Sequence, residues 1–266
     1  MPHIKINDIA MYYEIHGNGK PLVFIAGFSA DHTTWLEVVE LFKDTYQVIL
    51  FDNRGAGRTE VPDGPYSIEQ MADDVLALCS VLNIKKAHFV GNSMGGFIVQ
   101  TLAYRYPMLV QSAVVSNSAA ILHNVFHIYV DAQLELIKTN ASLKALLKAN
   151  CSWVFSYPFL SRPGILDQLI QIGLENPFPF TVNGYEGQYA ALVHFDSRSW
   201  ISKISVPVFV LTADQDIIFN EKNAQFLADQ IPGAHYYRFM ECGHLPQIEY
   251  PELFTKTVRG FIDNLS

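Results

Sequence analysis

Three residue types that together perform acyl transfer stand far apart in this chain, in the order serine, carboxylate, histidine. Ser93 lies in Phe89-Val90-Gly91-Asn92-Ser93-Met94-Gly95-Gly96-Phe97, with glycines two positions before and two after it. A short apolar run that turns at such a serine into a helical pattern reads as a nucleophile elbow, because glycine lets the chain turn where a Cβ would collide. The hydroxyl then stands at the carboxyl end of a sheet. The N–H of Met94, in the first helical turn, points at an oxyanion formed beside it. A serine hydroxyl is a weak nucleophile until a base takes its proton, and the base needs a carboxylate to orient it. Leu211-Thr212-Ala213-Asp214-Gln215-Asp216 puts two carboxylates just past an expected strand end. Glu241-Cys242-Gly243-His244-Leu245-Pro246 puts a histidine after the next one.

The five-position serine pattern also occurs in tight turns with no chemistry, so the elements around it decide. The opening alternates about the turn pair Asn7-Asp8 and reads as a β-hairpin. Pro21-Leu22-Val23-Phe24-Ile25-Ala26 and Tyr46-Gln47-Val48-Ile49-Leu50-Phe51 are continuous apolar runs, as expected of parallel strands buried on both faces. Between them, residues 31–42 have helical spacing. Ser67-Ile68-Glu69-Gln70 resembles a capping box and opens an amphipathic helix reaching about Leu82. The elbow strand, its helix and a strand over 110–116 follow, and this βαβα order predicts a doubly wound, mostly parallel sheet of about eight strands.

From about residue 119 to 200 the pattern changes to helical segments (125–138, 143–149, 165–174 and 185–193) separated by Pro- and Gly-bearing breaks. The expected organisation is a core over 1–118, an inserted helical lid over 119–200, and the rest of the core over 201–266. There the strand Val206-Pro207-Val208-Phe209-Val210-Leu211, a helix, a last strand over 234–240 and a closing helix resume the sheet pattern.

Composition narrows the function classes. A net charge of −8 with no Lys/Arg cluster leaves nothing to neutralise phosphates, so nucleic acid is not expected as a partner. No apolar run has transmembrane length, and the first residues carry no apolar signal core, so a cytoplasmic protein is expected. Cys79, Cys151 and Cys242 are odd in number, widely spaced and set in apolar segments, which fits reduced thiols. The histidines outside position 244 form no metal-ligand spacing, and neither a metal nor a cofactor is expected.

With elbow, loop Asp52-Asn53-Arg54-Gly55-Ala56-Gly57, acid strand and Gly243-His244 segment followed by Glu249, Pro251 and Phe254 all in order, the chain resembles the α/β-hydrolase fold proteins over nearly its whole length. The resemblance implies Ser93 as nucleophile, His244 as general base and Asp216 as acid. The family places its acid three residues after a glycine, and Ala213 holds that place here, which selects Asp216 over Asp214. It further implies oxyanion donors at the backbone N–H groups of Met94 and Phe28. The usual His-Gly before the second donor is replaced by Ala26-Gly27, a departure that backbone donation tolerates. Asp52 and Arg54 are expected to hold their loop by local ion pairing.

These readings imply a serine hydrolase of a small or medium, largely apolar carboxylic ester or lactone, working through an acyl-enzyme. The lid is rich in aromatic residues, most of which are expected to pack lid against core. Trp153, Phe155 and Leu245 are expected at the substrate pocket. Two alternatives remain. The elbow is also similar to that of meta-cleavage-product hydrolases, which break a carbon–carbon bond. Those usually carry a tryptophan after the base and a lid arginine, whereas this chain has Leu245 and only Arg162 and Arg198 in the lid. A non-catalytic protein that binds a small ligand on a hydrolase fold is the other alternative.

Overall fold

The computed structural model describes residues 2–265. The sheet has eight strands: β1 (His3–Ile6), β2 (Ile9–His16), β3 (Lys20–Ile25), β4 (Tyr46–Phe51), β5 (Ala87–Asn92), β6 (Val110–Ser116), β7 (Val208–Ala213) and β8 (His235–Phe239). They lie in the order β1-β2-β4-β3-β5-β6-β7-β8. Only the pairings of β2 with β1 and with β4 are antiparallel. From β4 to β8 every neighbour is parallel.

Helices α1 (Leu36–Phe42), α2 (Ile68–Val81) and α3 (Met94–Arg105) belong to the first half. Five follow between β6 and β7: α4 (Asn124–Lys138), α5 (Leu143–Val154), α6 (Tyr157–Leu160), α7 (Ile165–Glu175) and α8 (Val182–Val193). The chain ends with α9 (Glu221–Gln230), α10 (Pro246–Glu249) and α11 (Pro251–Ile262). Among the described residues the only strand-like pairing between β6 and β7 is an isolated bridge of Ile121 to Asp196, which brings the two ends of the helical segment together. Among the described residues, no helix is long and apolar enough to cross a membrane.

The continuous apolar runs have a direct structural reason. In β3, Val23 and Ile25 face a core shared with Met71 and Val75 of α2 and Phe97 of α3. Leu22 and Phe24 face a second core with Val38 and Phe42 of α1 and Phe254 and Val258 of α11. Both faces of the sheet are dry, so period-two alternation disappears. Ser67 caps α2 as its sequence suggests, its side chain accepting from the Gln70 N–H at 3.0 Å. Residues 31–42 divide into a 3₁₀ turn, His32–Trp35, and then α1, with the Asp31 side chain accepting from the Thr33 N–H.

The Asp52–Gly57 loop is held less locally than expected. Arg54 is 1% exposed and its guanidinium binds both carboxylate oxygens of Asp74 at 2.7 and 2.9 Å and Asp8 at 2.9 Å. Its partners lie on α2 and in the first hairpin, so this pair fastens the antiparallel edge to the parallel core. Asp52 instead accepts from His32 and from the Arg58 N–H.

One buried histidine gives the fold a pH dependence. His88 on β5 is 3% exposed and bonds to Ser112 Oγ at 2.8 Å. Burial, with Lys20 nearby, pushes its pKa from 6.5 down to about 4. Between those values the unfolded chain binds a proton that the folded chain refuses, so stability is full above the unfolded pKa and is lost as pH falls through the window. Urea unfolding should show the parent losing about 2 kcal/mol more than His88→Gln between about pH 7 and pH 4.5. Equal losses in the two proteins would place the acid sensitivity elsewhere.

Candidate active site

The turn from β5 into α3 leaves no room for a Cβ at the glycines on either side of the serine. A Cβ on Gly91 would lie 2.1 Å from Gly95 O, and one on Gly95 would lie 2.1 Å from Ile25 O. Ser93 itself sits at φ 58° and ψ −120°, a conformation few L-residues adopt. Neighbours hold it there. The Ser93 N–H donates to Ser116 O at 2.9 Å, and Ser93 O accepts from Ser118 Oγ and the Gly96 N–H, each at 2.9 Å. Met94, as the first residue of α3, has an N–H with no carbonyl of its own helix to meet. Phe28 follows β3, and among the described residues its N–H forms no hydrogen bond.

The end of β7 and the loop after β8 bring the acid and the histidine together. Asp216 Oδ2 binds His244 Nδ1 at 2.8 Å and also accepts from Asn117 Nδ2 at 2.9 Å. Its Oδ1 accepts from the N–H groups of Ile218 and Phe219 at 2.8 and 3.0 Å. Asp216 is 4% exposed and His244 3%. A carboxylate oxygen that accepts at Nδ1 orients the imidazole in the tautomer with Nδ1 protonated, leaving Nε2 as the basic nitrogen. Asp214 serves the framework instead, since its Oδ1 accepts from the Cys242 N–H at 3.1 Å and so ties the two loops together.

Ser93 and His244 line one cavity of about 720 Å³, along with Gly27 and Phe28. No hydrogen bond joins Ser93 to His244 in this conformation; the two share the cavity wall. Such bonds commonly tighten when substrate arrives. Helices α4, α5 and α7 cover the cavity. From α5 come Leu143, Leu146, Leu147, Asn150 and Val154, a spacing that places them on one helical face. From α4 come Phe126, Tyr129, Gln133 and Ile137. Burial holds the phenols of Tyr129 and Tyr185, which also lines the wall, far above their ordinary pKa, so both remain neutral.

Leu245 lines the cavity, but Trp153 and Phe155 do not. Val154 takes the inward position; Trp153 points about 100° away from it on the helix, and Phe155 lies past the end of α5 in extended backbone. Trp153 packs on Tyr129 with ring centroids 4.4 Å apart, and Phe155 stacks on Phe159 at 4.9 Å. Aromatic character alone could not separate these residues from the lining; the 3–4 spacing of Leu143, Leu146, Leu147 and Asn150 was the usable signal.

The segment between α5 and α6 is fastened to the loops of Asp216 and His244 at several points. The His244 N–H donates to Val154 O at 2.7 Å, and the Tyr157 N–H donates to Gln215 Oε1 at 2.9 Å. Glu249, 2% exposed, accepts from the Gly243 N–H at 2.9 Å, the Ser156 N–H at 3.0 Å and the Ser156 hydroxyl. Burial pushes its carboxyl above the usual range, and the donors from Ser156 and Gly243 offset part of that rise. Asn117 and Glu249 are site-building residues whose roles sequence reasoning missed. The polar run Ser116-Asn117-Ser118 at a strand's carboxyl end was the signal for the first.

Asp31, His32 and Asp52 could each turn one atom toward a cation, since their ligand atoms lie within 4.8 Å of one another. All four carboxylate oxygens already accept protein N–H groups, from Thr33 and Asn176 on Asp31 and from His32 and Arg58 on Asp52. Burial works to lower the His32 pKa, and the hydrogen bond and charge of Asp52 outweigh it, so the pKa lies above its ordinary value. The cluster is held together by protein hydrogen bonds.

The sheet order, the elbow and the helical segment placed between β6 and β7 define an α/β hydrolase. Comparison with known proteins agrees: the chain belongs to the alpha/beta hydrolase fold family, whose model matches residues 20–145, and it is a hydrolase. It is 30% identical to 3-oxoadipate enol-lactonase 2 of Acinetobacter baylyi over 97% of this chain and 94% of that protein. It is 31% identical to the putative non-heme bromoperoxidase BpoC of Mycobacterium tuberculosis, covering 95% of this chain and 97% of that one. The crystal structure of the enol-lactonase from Burkholderia xenovorans superposes with a TM-score of 0.88 at 28% identity, over 98% of this chain and all of that one (100%).

Proposed function

We propose that the protein is a serine hydrolase of small or medium, largely apolar carboxylic esters or lactones, acting through an acyl-enzyme. The observation that carries this reading is the buried Asp216–His244 pair, whose histidine lines the cavity that also holds the elbow serine. Ser93 Oγ attacks the carbonyl carbon while His244 Nε2 takes its proton. The tetrahedral oxyanion accepts from the N–H groups of Phe28 and Met94. The carbon–oxygen bond to the alcohol then breaks, and His244 returns the proton to the departing oxygen. Water attacks the acyl-enzyme by the same route, releasing the acid and the free serine. With a lactone the departing oxygen stays tethered, so one hydroxy or oxo acid leaves.

The enol-lactonase relatives support lactones within this class, and the apolar face of α5 supports an apolar acyl or alcohol portion. Residues 119–200 act in this reading as a lid on the core formed by 1–118 and 201–266. The three free, buried cysteines support a reducing, cytoplasmic setting. The carbon–carbon alternative finds less support. Arg162 lies over the rings of Phe159 and Tyr250, and Arg198 pairs with Asp196, so neither lines the cavity.

Hydrolysis of p-nitrophenyl esters of increasing acyl length, alongside simple lactones and a dienone, tests the reading. Serine-dependent turnover of esters or lactones is expected, with labelling of Ser93 by a fluorophosphonate. Turnover of the dienone alone would transfer the protein to the carbon–carbon class, and no turnover with no labelling would leave a ligand-binding role. In the same series Leu146→Trp, which fills part of the cavity, should move the optimum to shorter acyl chains by about two or more carbons with the fold intact. An unmoved optimum would mean that the acyl group lies elsewhere.

A further inference from the structure

Phe28 stands directly before Ser29, which has a φ of +54°, so the peptide that carries the second oxyanion donor belongs to a backbone turn that needs outside support. That support comes from α8. Gln188 is fully buried at 0% exposure, and its Oε1 accepts from the Ser29 N–H at 2.8 Å. Its Nε2 donates to Arg54 O at 2.9 Å. One partner is a donor and the other an acceptor, so only one orientation of the amide satisfies both. The Phe28 ring meets Tyr185 on the same helix with centroids 4.5 Å apart. Phe28 is therefore held by α8 through its ring and through the peptide that follows it.

Helix α8 is itself fixed against the Arg54 loop. A Cβ on Gly184 would lie 2.0 Å from Gly55 O, and one on Gly187 would lie 2.5 Å from the Tyr66 ring. Arg54 is in turn anchored to Asp74 and Asp8. A line of short contacts thus runs from the buried ion pair through Gln188 to Ser29.

We propose that Gln188 is a positioning residue for the reaction: from the helical layer over the cavity it sets the turn that aims the Phe28 N–H at the oxyanion. This rests on the serine-hydrolase reading above. Where the family's usual His-Gly is replaced by Ala26-Gly27, the loop takes its shape from a side chain 159 positions later in the sequence.

The test compares the parent with Gln188→Met, which keeps length and loses both bonds, and Gln188→Glu, which keeps an acceptor for Ser29. On an ester with good turnover, Gln188→Met should lower kcat by about 10- to 100-fold with KM within about threefold, since a misplaced donor is felt in the transition state. Affinity for a boronic acid that adds to Ser93 should fall in parallel, while affinity for the carboxylate product stays near that of the parent. Gln188→Glu should lose less of both kcat and boronate affinity. A Gln188→Met protein that melts with the parent and keeps its kcat and boronate affinity would overturn the proposal. So would a loss of kcat with an unchanged ratio of boronate to product affinity, which is the mark of a purely structural role. If Gln188→Met does not fold, Gln188→Glu is read by the same two criteria. Turnover that survives Ser93→Ala would instead remove the underlying serine-hydrolase reading, whatever the Gln188 variants show.

Discussion

Ser93→Ala is expected to lower kcat/KM on an ester substrate by about four orders of magnitude or more, because the only nucleophile is gone and the oxyanion donors act on whatever attack water can manage. Ser93→Gly should be equally inactive, and it carries a second expectation. At φ 58° and ψ −120° the serine occupies backbone space that costs of order 1–3 kcal/mol for a residue with a Cβ. Glycine enters that region freely, although it adds entropy to the unfolded chain, so Ser93→Gly should be more stable than Ser93→Ala by about 1 kcal/mol. Steady-state kinetics and thermal unfolding of the three proteins check both parts. An inactive but stabilised glycine variant marks the strain as part of the reactive geometry. An active Ser93→Ala would end the case for the elbow.

The two carboxylates at the end of β7 should separate sharply. Asp216→Asn is expected to lower kcat by about 10³- to 10⁴-fold, with KM little changed. An amide has one accepting oxygen where Asp216 uses two, one shared by His244 and Asn117 and the other by the N–H groups of Ile218 and Phe219. Whichever way it turns, its NH₂ faces donors. Turned toward His244, it selects the wrong tautomer and leaves Nε2 protonated. Asp214→Asn keeps an oxygen for the single Cys242 N–H, and activity should stay within about threefold of the parent. Comparable losses at both positions would contradict the assignment.

How much of this was legible in the sequence differs by scale. Strands β3 to β7 announced themselves as apolar runs because the sheet is covered on both faces, and the elbow announced itself because glycine is the only residue that clears Gly95 O and Ile25 O. The order of Ser93, Asp216 and His244 was readable, and the choice between Asp214 and Asp216 came from a resemblance; the structure pairs Asp216 with the histidine. Contacts across long separations were not readable. Arg54 finds Asp74 and Asp8, and Gln188 finds Ser29, through tertiary packing that leaves no local periodicity. The helical segment over the cavity was recognised as helical, yet its inward face was misjudged at Trp153 and Phe155. Ring size signals burial, and these two are half-buried in aromatic contacts with their neighbours.

The bonds at Val154, Ser156 and Tyr157 have a consequence for traffic. The stretch nearest the histidine is joined to the loops that carry His244 and Asp216, so it cannot swing outward without drawing on both of them. Another part of the rim carries no such bonds to the His244 and Asp216 loops: residues 176–180 meet their neighbours through Asn176 on Asp31 at 3.1 Å, Phe178 over the Arg58 guanidinium at 4.6 Å and Phe180 against the Tyr185 ring at 5.6 Å. Substrate exchange that leaves the Asp216–His244 pair undisturbed would therefore use the rim at residues 176–180 and not the stretch bonded beside His244.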